Sequence, residues 1–211
     1  MAWLLLFAIL LITSETALVT RFPALLRNFR YQSFCLALLT ALAAYREGSV
    51  ELFVIAGLLF GLKVLLIPHL FDVLIKRIGS SDHLGLFLNS QVSLFLVVML
   101  GLISWVFARS VIPAPAYLTQ LSLSAAAFTM LTGIFLMVSR IKALAQVLGL
   151  LFAENGVFLA ATIISGGMPF FVEIALFFDV LISVMILGLF IYRINAIFTH
   201  IDVSKLSGLK G

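Results

Sequence analysis

The chain has 211 residues, of which 64% are hydrophobic and only 10% are charged, and its formal net charge is +4. Soluble domains carry about 25% charged residues. A soluble domain of this length could not bury so much apolar side chain, because much of its surface must face water. The composition therefore excludes a soluble globular protein and predicts an integral membrane protein.

The predicted elements are long apolar runs that lack the alternating pattern of a membrane β-barrel. Because the bilayer core requires about 20 apolar residues per helix, we expect an all-α bundle of about seven transmembrane helices. The first run starts without a basic segment or a cleavage site, and we interpret it as a retained helix. Pro68 is expected to kink or end the third helix. The predicted spans are 2–20, 30–45, 50–75, 85–108, 114–139, 146–165 and 170–193.

The basic residues of the loops fall mostly on one side of this predicted topology. That side holds ten of them, whereas the other side holds only Arg46 and Arg109. Because basic loops stay in the cytoplasm, we expect the N-terminus outside, the C-terminus inside and a location in the cell inner (cytoplasmic) membrane. The ten residues are Arg21, Arg27, Arg30, Lys76, Arg77, Arg140, Lys142, Arg193, Lys205 and Lys210.

Three ionisable residues, Lys63, Glu154 and Asp179, fall in the middle of predicted spans. A charge at mid-membrane costs about 2.5–3.5 kcal/mol on insertion scales, so residues of this kind usually have a function. At 1.5 Å per residue they lie roughly 20, 16 and 14 Å from the outer surface, which places them near one plane. Buried groups in such a plane are what a proton relay requires. The alternative is that the acids only hydrogen-bond neighbouring helices and that Lys63 forms a fixed ion pair.

Other ionisable residues are possible accessories. His69 and Asp72 follow Pro68 at the inner end of the third helix, where they could line a proton entry point or simply face the surface. Glu15 lies toward the inner end of the first helix, within reach of Arg21 or the interface. Glu173 lies near the outer surface, about 120° around its helix from Asp179.

The helix that carries Glu154 also carries a stripe of small residues. Gly149, Ala153, Gly156 and Ala160 are spaced along it at helical intervals. Small residues let two helices approach closely in a membrane. Since Glu154 borders this stripe, we expect its side chain to face protein rather than lipid.

Three blocks of sequence carry a resemblance to a known family. They are GLKVLLIP around Lys63, LGLLFAENGVFL around Glu154 and FFVEIALFFDVLISVMILGLF around Asp179, and the tail IDVSKLSGLKG is similar too. The chain resembles component E of the hydrogenase-four type complexes, a membrane subunit of formate-hydrogenlyase-like, group 4 nickel–iron hydrogenases. Its last three helices resemble the K subunit of respiratory complex I and the small C subunit of multisubunit sodium/proton antiporters.

The resemblance implies a role, partners and a division of the chain. Glu154 and Asp179 match the two membrane acids of the K subunit, although Asp179 is one methylene shorter than the family's Glu. It implies transmembrane helices 1–4 in residues 1–110, a K-like part in 111–196 and a cytoplasmic tail in 197–211. It also implies antiporter-like membrane subunits, a complex I-like membrane anchor and a peripheral nickel–iron module as partners.

The function expected on this basis is that of a non-catalytic subunit. It would contribute buried charges to proton, or sodium, translocation coupled to electron transfer elsewhere in an oxidoreductase complex. The nickel–iron centre and iron–sulfur clusters are expected in partner subunits, and no cofactor or metal in this chain, because its one cysteine, Cys35, cannot build a thiolate site alone. The alternatives are an antiporter subunit without redox chemistry, a structural assembly subunit, and a free-standing transporter, which would require internal repeats.

Overall fold

The computed structural model describes residues 2–78 and 90–164, and within these ranges every regular element is a helix. The prediction of an all-α protein is confirmed for this part of the chain. The elements in chain order are α1 (Ala2–Leu18), α2 (Phe22–Glu47), α3 (Val50–Leu59), a π-helical segment (Phe60–Leu66), α4 (Ile67–Ile78), α5 (Ser90–Val111), α6 (Tyr117–Ser139) and α7 (Ala143–Ile164).

Four helical stretches are long and apolar enough to cross a membrane: Val50–Val73, Gln91–Val111, Tyr117–Ser139 and Ala143–Thr162. α1 is equally apolar but has only 17 residues. These helices make the chain a membrane protein in composition and architecture. The expected span 170–193 lies outside the described residues, and the total of seven spans remains a prediction.

The second helix is longer than the sequence predicts. We expected a short span over 30–45, whereas α2 begins at Phe22, with a proline in its first turn, and ends at Glu47. Proline is favoured there because the first helical N–H groups need no partner. The helix ends at Gly48, whose φ of 66° lies in the left-handed region that favours glycine. The added residues include Arg27 and Arg30, which pair with Glu15 of α1 and Asp72 of α4.

Pro68 does not end the third helix, which continues to Ile78. Instead the helix has a wider, π-helical turn just before Pro68. In this segment the Ile67 N–H donates to the Leu62 carbonyl, five residues earlier. A proline ring collides with the carbonyl four residues before it, here that of Val64. The wider turn is a known way for a helix to accommodate such a disruption.

Helices α6 and α7 pack at very short range through glycines. A Cβ on Gly133 would lie 2.2 Å from the backbone nitrogen of Ala153, and one on Gly156 would lie 2.4 Å from that of Met130. A Cβ on Gly149 would lie 2.9 Å from the carbonyl oxygen of Gly133. The predicted small-residue stripe is therefore confirmed as the contact surface of α7. This contact fixes the position of Glu154 along the axis of α6.

The basic residues gather at one end of the bundle, which we call the basic end. There α1, α4 and α6 finish and α2 and α7 begin. Of the loop and helix-end Lys and Arg residues within the described ranges, seven lie at this end and two, Arg46 and Arg109, lie at the other. The seven are Arg21, Arg27, Arg30, Lys76, Arg77, Arg140 and Lys142.

Candidate functional site

Lys63 lies in the middle of the π-helical segment, and its side chain points into the bundle, where only 1% of the residue is exposed. Fully buried lysines are rare unless they are paired. The π turn is the local reason for the unusual position, because it interrupts the regular helix at this residue. Single wide turns of this kind occur frequently at functional sites.

Glu154 of α7 forms an ion pair with Lys63. The Nζ atom lies 3.1 Å from Oε1, and the two side chains are 2% and 8% exposed. The structure therefore brings together two of the three mid-membrane residues identified in the sequence. Glu154 is also next to the tightly packed face of α7, as its position beside the small-residue stripe predicts. Asp179 and Glu173 lie outside the described residues.

The two partners of this ion pair are bonded differently. The Nζ of Lys63 donates a well-aligned hydrogen bond of 2.9 Å to Oδ1 of Asn155. Both carboxylate oxygens of Glu154, by contrast, are buried and accept no aligned hydrogen bond from the described residues. The 3.1 Å contact to Lys63 is thus a charge contact rather than a hydrogen bond. A buried carboxylate without hydrogen-bond donors retains the capacity to accept a proton or a donor group.

Asn155 links this ion pair to α2. Its Nδ2 donates to Oε1 of Gln32 at 3.2 Å and to Oγ of Ser33 at 3.1 Å. All three side chains are at most 2% exposed. Because an ammonium group can only donate, the oxygen of the Asn155 amide must face Lys63 and its nitrogen must face α2.

The hydrogen bonds continue from Gln32 to α1. Its Nε2 donates 2.7 Å to Oγ of Thr13, and the Thr13 hydroxyl donates 2.7 Å to the carbonyl of Ile9. The hydroxyl of Thr129 on α6 lies 3.3 Å from that of Thr13. One chain of side-chain contacts therefore joins α1, α2, the π-helical segment, α6 and α7, and we call it the polar chain. It consists of Lys63, Glu154, Asn155, Gln32, Ser33, Thr13 and Thr129.

The amide part of the polar chain is dry. The space enclosed beside Gln32, Asn155 and Thr129 is too small to admit a water molecule. The amides are therefore held by direct bonds, and each one has a fixed orientation. Both amide oxygens point toward the Lys63 side, so their dipoles stabilise the ammonium group.

The sequence analysis did not identify Asn155, Gln32 or Thr13. Asn155 carries a usable signal, since it is a second polar residue beside Glu154 in an otherwise apolar helix. Gln32 and Ser33 follow Asn28 and Arg30 in a stretch with several polar residues, where neither stands out. No signal in the sequence distinguishes Thr13 from other threonines of the bundle, such as Thr40, that bond only to their own helix.

The accessory candidates within the described residues, Glu15, His69 and Asp72, lie away from Lys63, at the basic end. Glu15, which was expected to reach Arg21 or the interface, pairs with Arg27 at 3.5 Å. Asp72 pairs with Arg30 at 3.6 Å. All four of these paired side chains are about half exposed, and His69 is exposed. The structure thus favours the surface interpretation of these residues over a proton entry point.

Within residues 2–78 and 90–164, no three His, Cys, Asp or Glu side chains come together in a way that could hold a metal ion. The ionisable groups that the site itself supplies are the carboxylate of Glu154 and the ammonium group of Lys63. A carboxylate next to an ammonium group can take up or release a proton while the lysine keeps a second acceptor in Asn155.

The chain is similar to one curated protein across most of its length. Uncharacterized protein Rv0085 of Mycobacterium tuberculosis (strain ATCC 25618 / H37Rv) is 26% identical over 188 residues, which cover 89% of this chain and 86% of that protein. No protein-family profile matches the chain, and no solved structure matches it. The likeness extends over nearly the whole of both proteins.

Proposed function

We propose that this chain is a non-catalytic membrane subunit of an energy-converting complex of the hydrogenase-four type. Its role would be to contribute buried charges to proton, or sodium, translocation that is coupled to electron transfer in partner subunits. The observation that carries the proposal is the buried ion pair of Lys63 and Glu154, in which the carboxylate accepts no hydrogen bond from the part of the chain that the structure describes. Charged groups inside a membrane bundle are rare and mark ion pathways and proton relays.

In this proposal Glu154 is the proton-carrying group, and Asp179 is the second carboxylate of the relay. Lys63 stabilises the ionised form of Glu154 at 3.1 Å. When Glu154 takes up a proton, the Lys63 ammonium keeps its hydrogen bond to Asn155 and remains charged. The bundle therefore holds the lysine in place through the protonation cycle.

The proposed partners are antiporter-like membrane subunits, a complex I-like anchor subunit and a peripheral nickel–iron module. The apolar outer surfaces of α1, α3 and α5 support contacts with lipid and with other membrane subunits, since large hydrophobic side chains are exposed along all three. Nickel–iron and iron–sulfur centres would belong to those partners.

The proposed topology has seven spans, with the basic end and the C-terminus in the cytoplasm. Its support is the seven-to-two distribution of basic residues between the two ends. Single cysteines in a Cys35→Ser background would test it, one at Ile141 and one at Glu47, which lie exposed at opposite ends. We expect a membrane-impermeant thiol reagent added outside the cell to label position 47 and not position 141. The reverse pattern would contradict the topology.

The relay role is tested with Glu154→Gln in the assembled complex. We expect the ratio of translocated ions to transferred electrons to fall by about tenfold or more, while co-purification of the other subunits is retained. Asp179→Asn should act in the same direction. Glu15→Gln is the matched control, because Glu15 is a membrane-region glutamate whose side chain is 55% exposed. Unchanged coupling in an intact Glu154→Gln complex would show that Glu154 is not a relay group.

A second candidate function, that of a structural assembly subunit, is favoured by the polar chain itself. In that case the ion pair only neutralises charge, and the bonds from Lys63 to Asn155 and from Asn155 to Gln32 hold the helices together. Glu154→Gln separates the two functions, since it removes the charge of the side chain, keeps its size and leaves the bonds of Asn155 in place. A structural role predicts normal coupling in this variant, whereas a relay role predicts normal assembly with poor coupling.

A further inference from the structure

A groove between α1, α5 and α6 has a volume of about 320 Å³ and shares no residue with the polar chain. Its lining is apolar except for two serines, Ser14 and Ser124. The hydroxyl of Ser14 already donates 2.8 Å to the carbonyl of Leu10, so it requires no polar ligand. The groove is therefore suited to an apolar occupant.

The groove occupies the half of the bundle that adjoins the basic end. On α1 it extends from Leu10 to Leu18, the last residue of the helix, over about 12 Å of the helix axis. On α5 it begins at Leu94, in the second turn of the helix, and reaches Gly101. Half of the hydrocarbon core of a bilayer is about 15 Å thick. The groove thus has the depth of one leaflet.

The groove is open on its outer side. Leu94 and Val98 line it and are nevertheless about half exposed. Gly101 leaves the ring of Phe128 as the floor, since a Cβ on this glycine would lie 3.7 Å from that ring. At this depth the surrounding solvent of a membrane protein is lipid hydrocarbon.

The size of the groove distinguishes between two apolar occupants, an acyl chain and a helix of a partner subunit. A helix about 10 Å in diameter would take up roughly 900 Å³ over 12 Å of its length. This is nearly three times the volume of the groove. A partner helix could therefore only lie across the opening, whereas a single acyl chain can enter.

Positive charge surrounds the end of the groove. Arg21 is exposed and follows Leu18 by three residues, so their Cα atoms are at most about 11 Å apart. Arg140 is fully buried, and its Nη2 donates 3.0 Å to the carbonyl of Ala17, the residue before Leu18. Within residues 2–78 and 90–164, neither arginine forms an ion pair with an acid. An anionic group is therefore attracted to this end of the groove.

We propose that the groove binds one acyl chain of an anionic phospholipid from the leaflet at the basic end. The phosphate lies beside Arg21, and the buried charge of Arg140 adds to the attraction without touching the lipid. Basic residues between transmembrane helices bind anionic headgroups at membrane surfaces in this way. The lipid fills the space beside α5, which is the least buried of the four long apolar helices in the described residues.

The acyl-chain contact is tested by native mass spectrometry of the full-length chain, purified in a mild detergent and titrated with phosphatidylglycerol. We expect one tightly retained lipid per chain. Val98→Phe fills the groove and should weaken its binding on the order of tenfold, whereas Val98→Ala should retain it. Val106→Phe is the matched control, because Val106 is an exposed valine of α5 that does not line the groove. Circular dichroism reports whether each variant keeps its helix content.

The headgroup contact is tested by a parallel titration with phosphatidylcholine of the same acyl chains. We expect this zwitterionic lipid to bind about fivefold more weakly than phosphatidylglycerol. Arg21→Gln should remove the difference between the two lipids, and Arg21→Lys should restore it. Arg30→Gln is the matched control, since Arg30 is an exposed arginine at the same end that pairs with Asp72.

Three outcomes would overturn the proposal. Equal binding of phosphatidylglycerol to Val98→Phe and wild type, or an equal loss in Val106→Phe, would show that the lipid does not occupy the groove. Equal affinities of wild type for the two lipids would exclude an anionic headgroup as the determinant. Unchanged lipid binding by Val98→Phe together with reduced co-purification of other subunits would assign the groove to a partner helix.

Discussion

Removing either charge of the Lys63–Glu154 pair should have unequal consequences for stability. Lys63→Met leaves the Glu154 carboxylate buried, and neither of its oxygens accepts a hydrogen bond from the described residues. Glu154→Gln leaves the Lys63 ammonium with its 2.9 Å bond to Asn155. We therefore expect Lys63→Met to be the more destabilising of the two substitutions.

The magnitude follows from the distance and the burial. Two unit charges 3.1 Å apart interact by about 5 kcal/mol at an effective dielectric constant of 20. Breaking a buried pair by removing one partner costs about 3–5 kcal/mol, because the other charge remains uncompensated. We expect Lys63→Met to lower the free energy of unfolding by an amount in this range and Glu154→Gln to lower it by less. Lys63→Met/Glu154→Gln should be more stable than Lys63→Met alone.

The assay is a double-mutant cycle on the full-length chain, in which unfolding in mixed detergent micelles is followed by titration with a denaturing detergent. Equal losses for the two single variants would refute the unequal bonding of the pair. Losses that simply add in the double variant would refute the coupling. The exposed pair of Glu15 and Arg27, at 3.5 Å, supplies a reference cycle. Its coupling should not exceed about 1 kcal/mol.

Three further substitutions have defined outcomes. Gly133→Ala should lower the free energy of unfolding by about 1–3 kcal/mol, because the added Cβ would meet backbone atoms of α7. Gly57→Ala is the control and should be neutral in the same unfolding titration, because a Cβ there has nothing within 4 Å. Asn155→Leu should lower the free energy of unfolding by about 1–3 kcal/mol, because it leaves buried polar partners such as Gln32 unpaired. An unchanged midpoint of the unfolding titration would contradict the hydrogen bonds of the polar chain. Asp72→Asn should lower the free energy of unfolding by less than about 1 kcal/mol, because the ion pair of Asp72 with Arg30 is half exposed. A larger loss of stability would contradict the surface position of this pair.

The sequence predicts the charged part of the site and not its uncharged part. Lys63 and Glu154 stand out because ionisable side chains are rare in membrane spans, and their depths follow from counting residues along helices. Uncharged polar side chains give no such signal, since many of them bond only within their own helix. Thr40 and Ser104 do so, each to the carbonyl four residues earlier. Only the packing of α1 against α2 shows that Thr13 instead bonds across to Gln32.

Arg140 illustrates a second limit of sequence-based prediction. In the sequence it is one of ten basic residues on the predicted cytoplasmic side, and a single explanation, membrane topology, covers them all. Its difference from Arg27 and Arg30 is burial, and this depends on the tertiary packing of α1 against α6. The widened turn at Phe60–Leu66 is similar, because Pro68 predicts a disruption but not the form that it takes.

The geometry of the polar chain restricts where a proton can move. An amide carries a proton onward only by changing its tautomer, and the Thr13 hydroxyl already donates to the Ile9 carbonyl. The space beside the amides admits no water that could bypass them. Proton transfer in the proposed relay must therefore run through the Glu154 side of Lys63, while the Asn155 side serves to hold the ammonium group. Loss of Asn155 should therefore alter stability more than the proton route, and loss of Glu154 should alter the proton route more than stability.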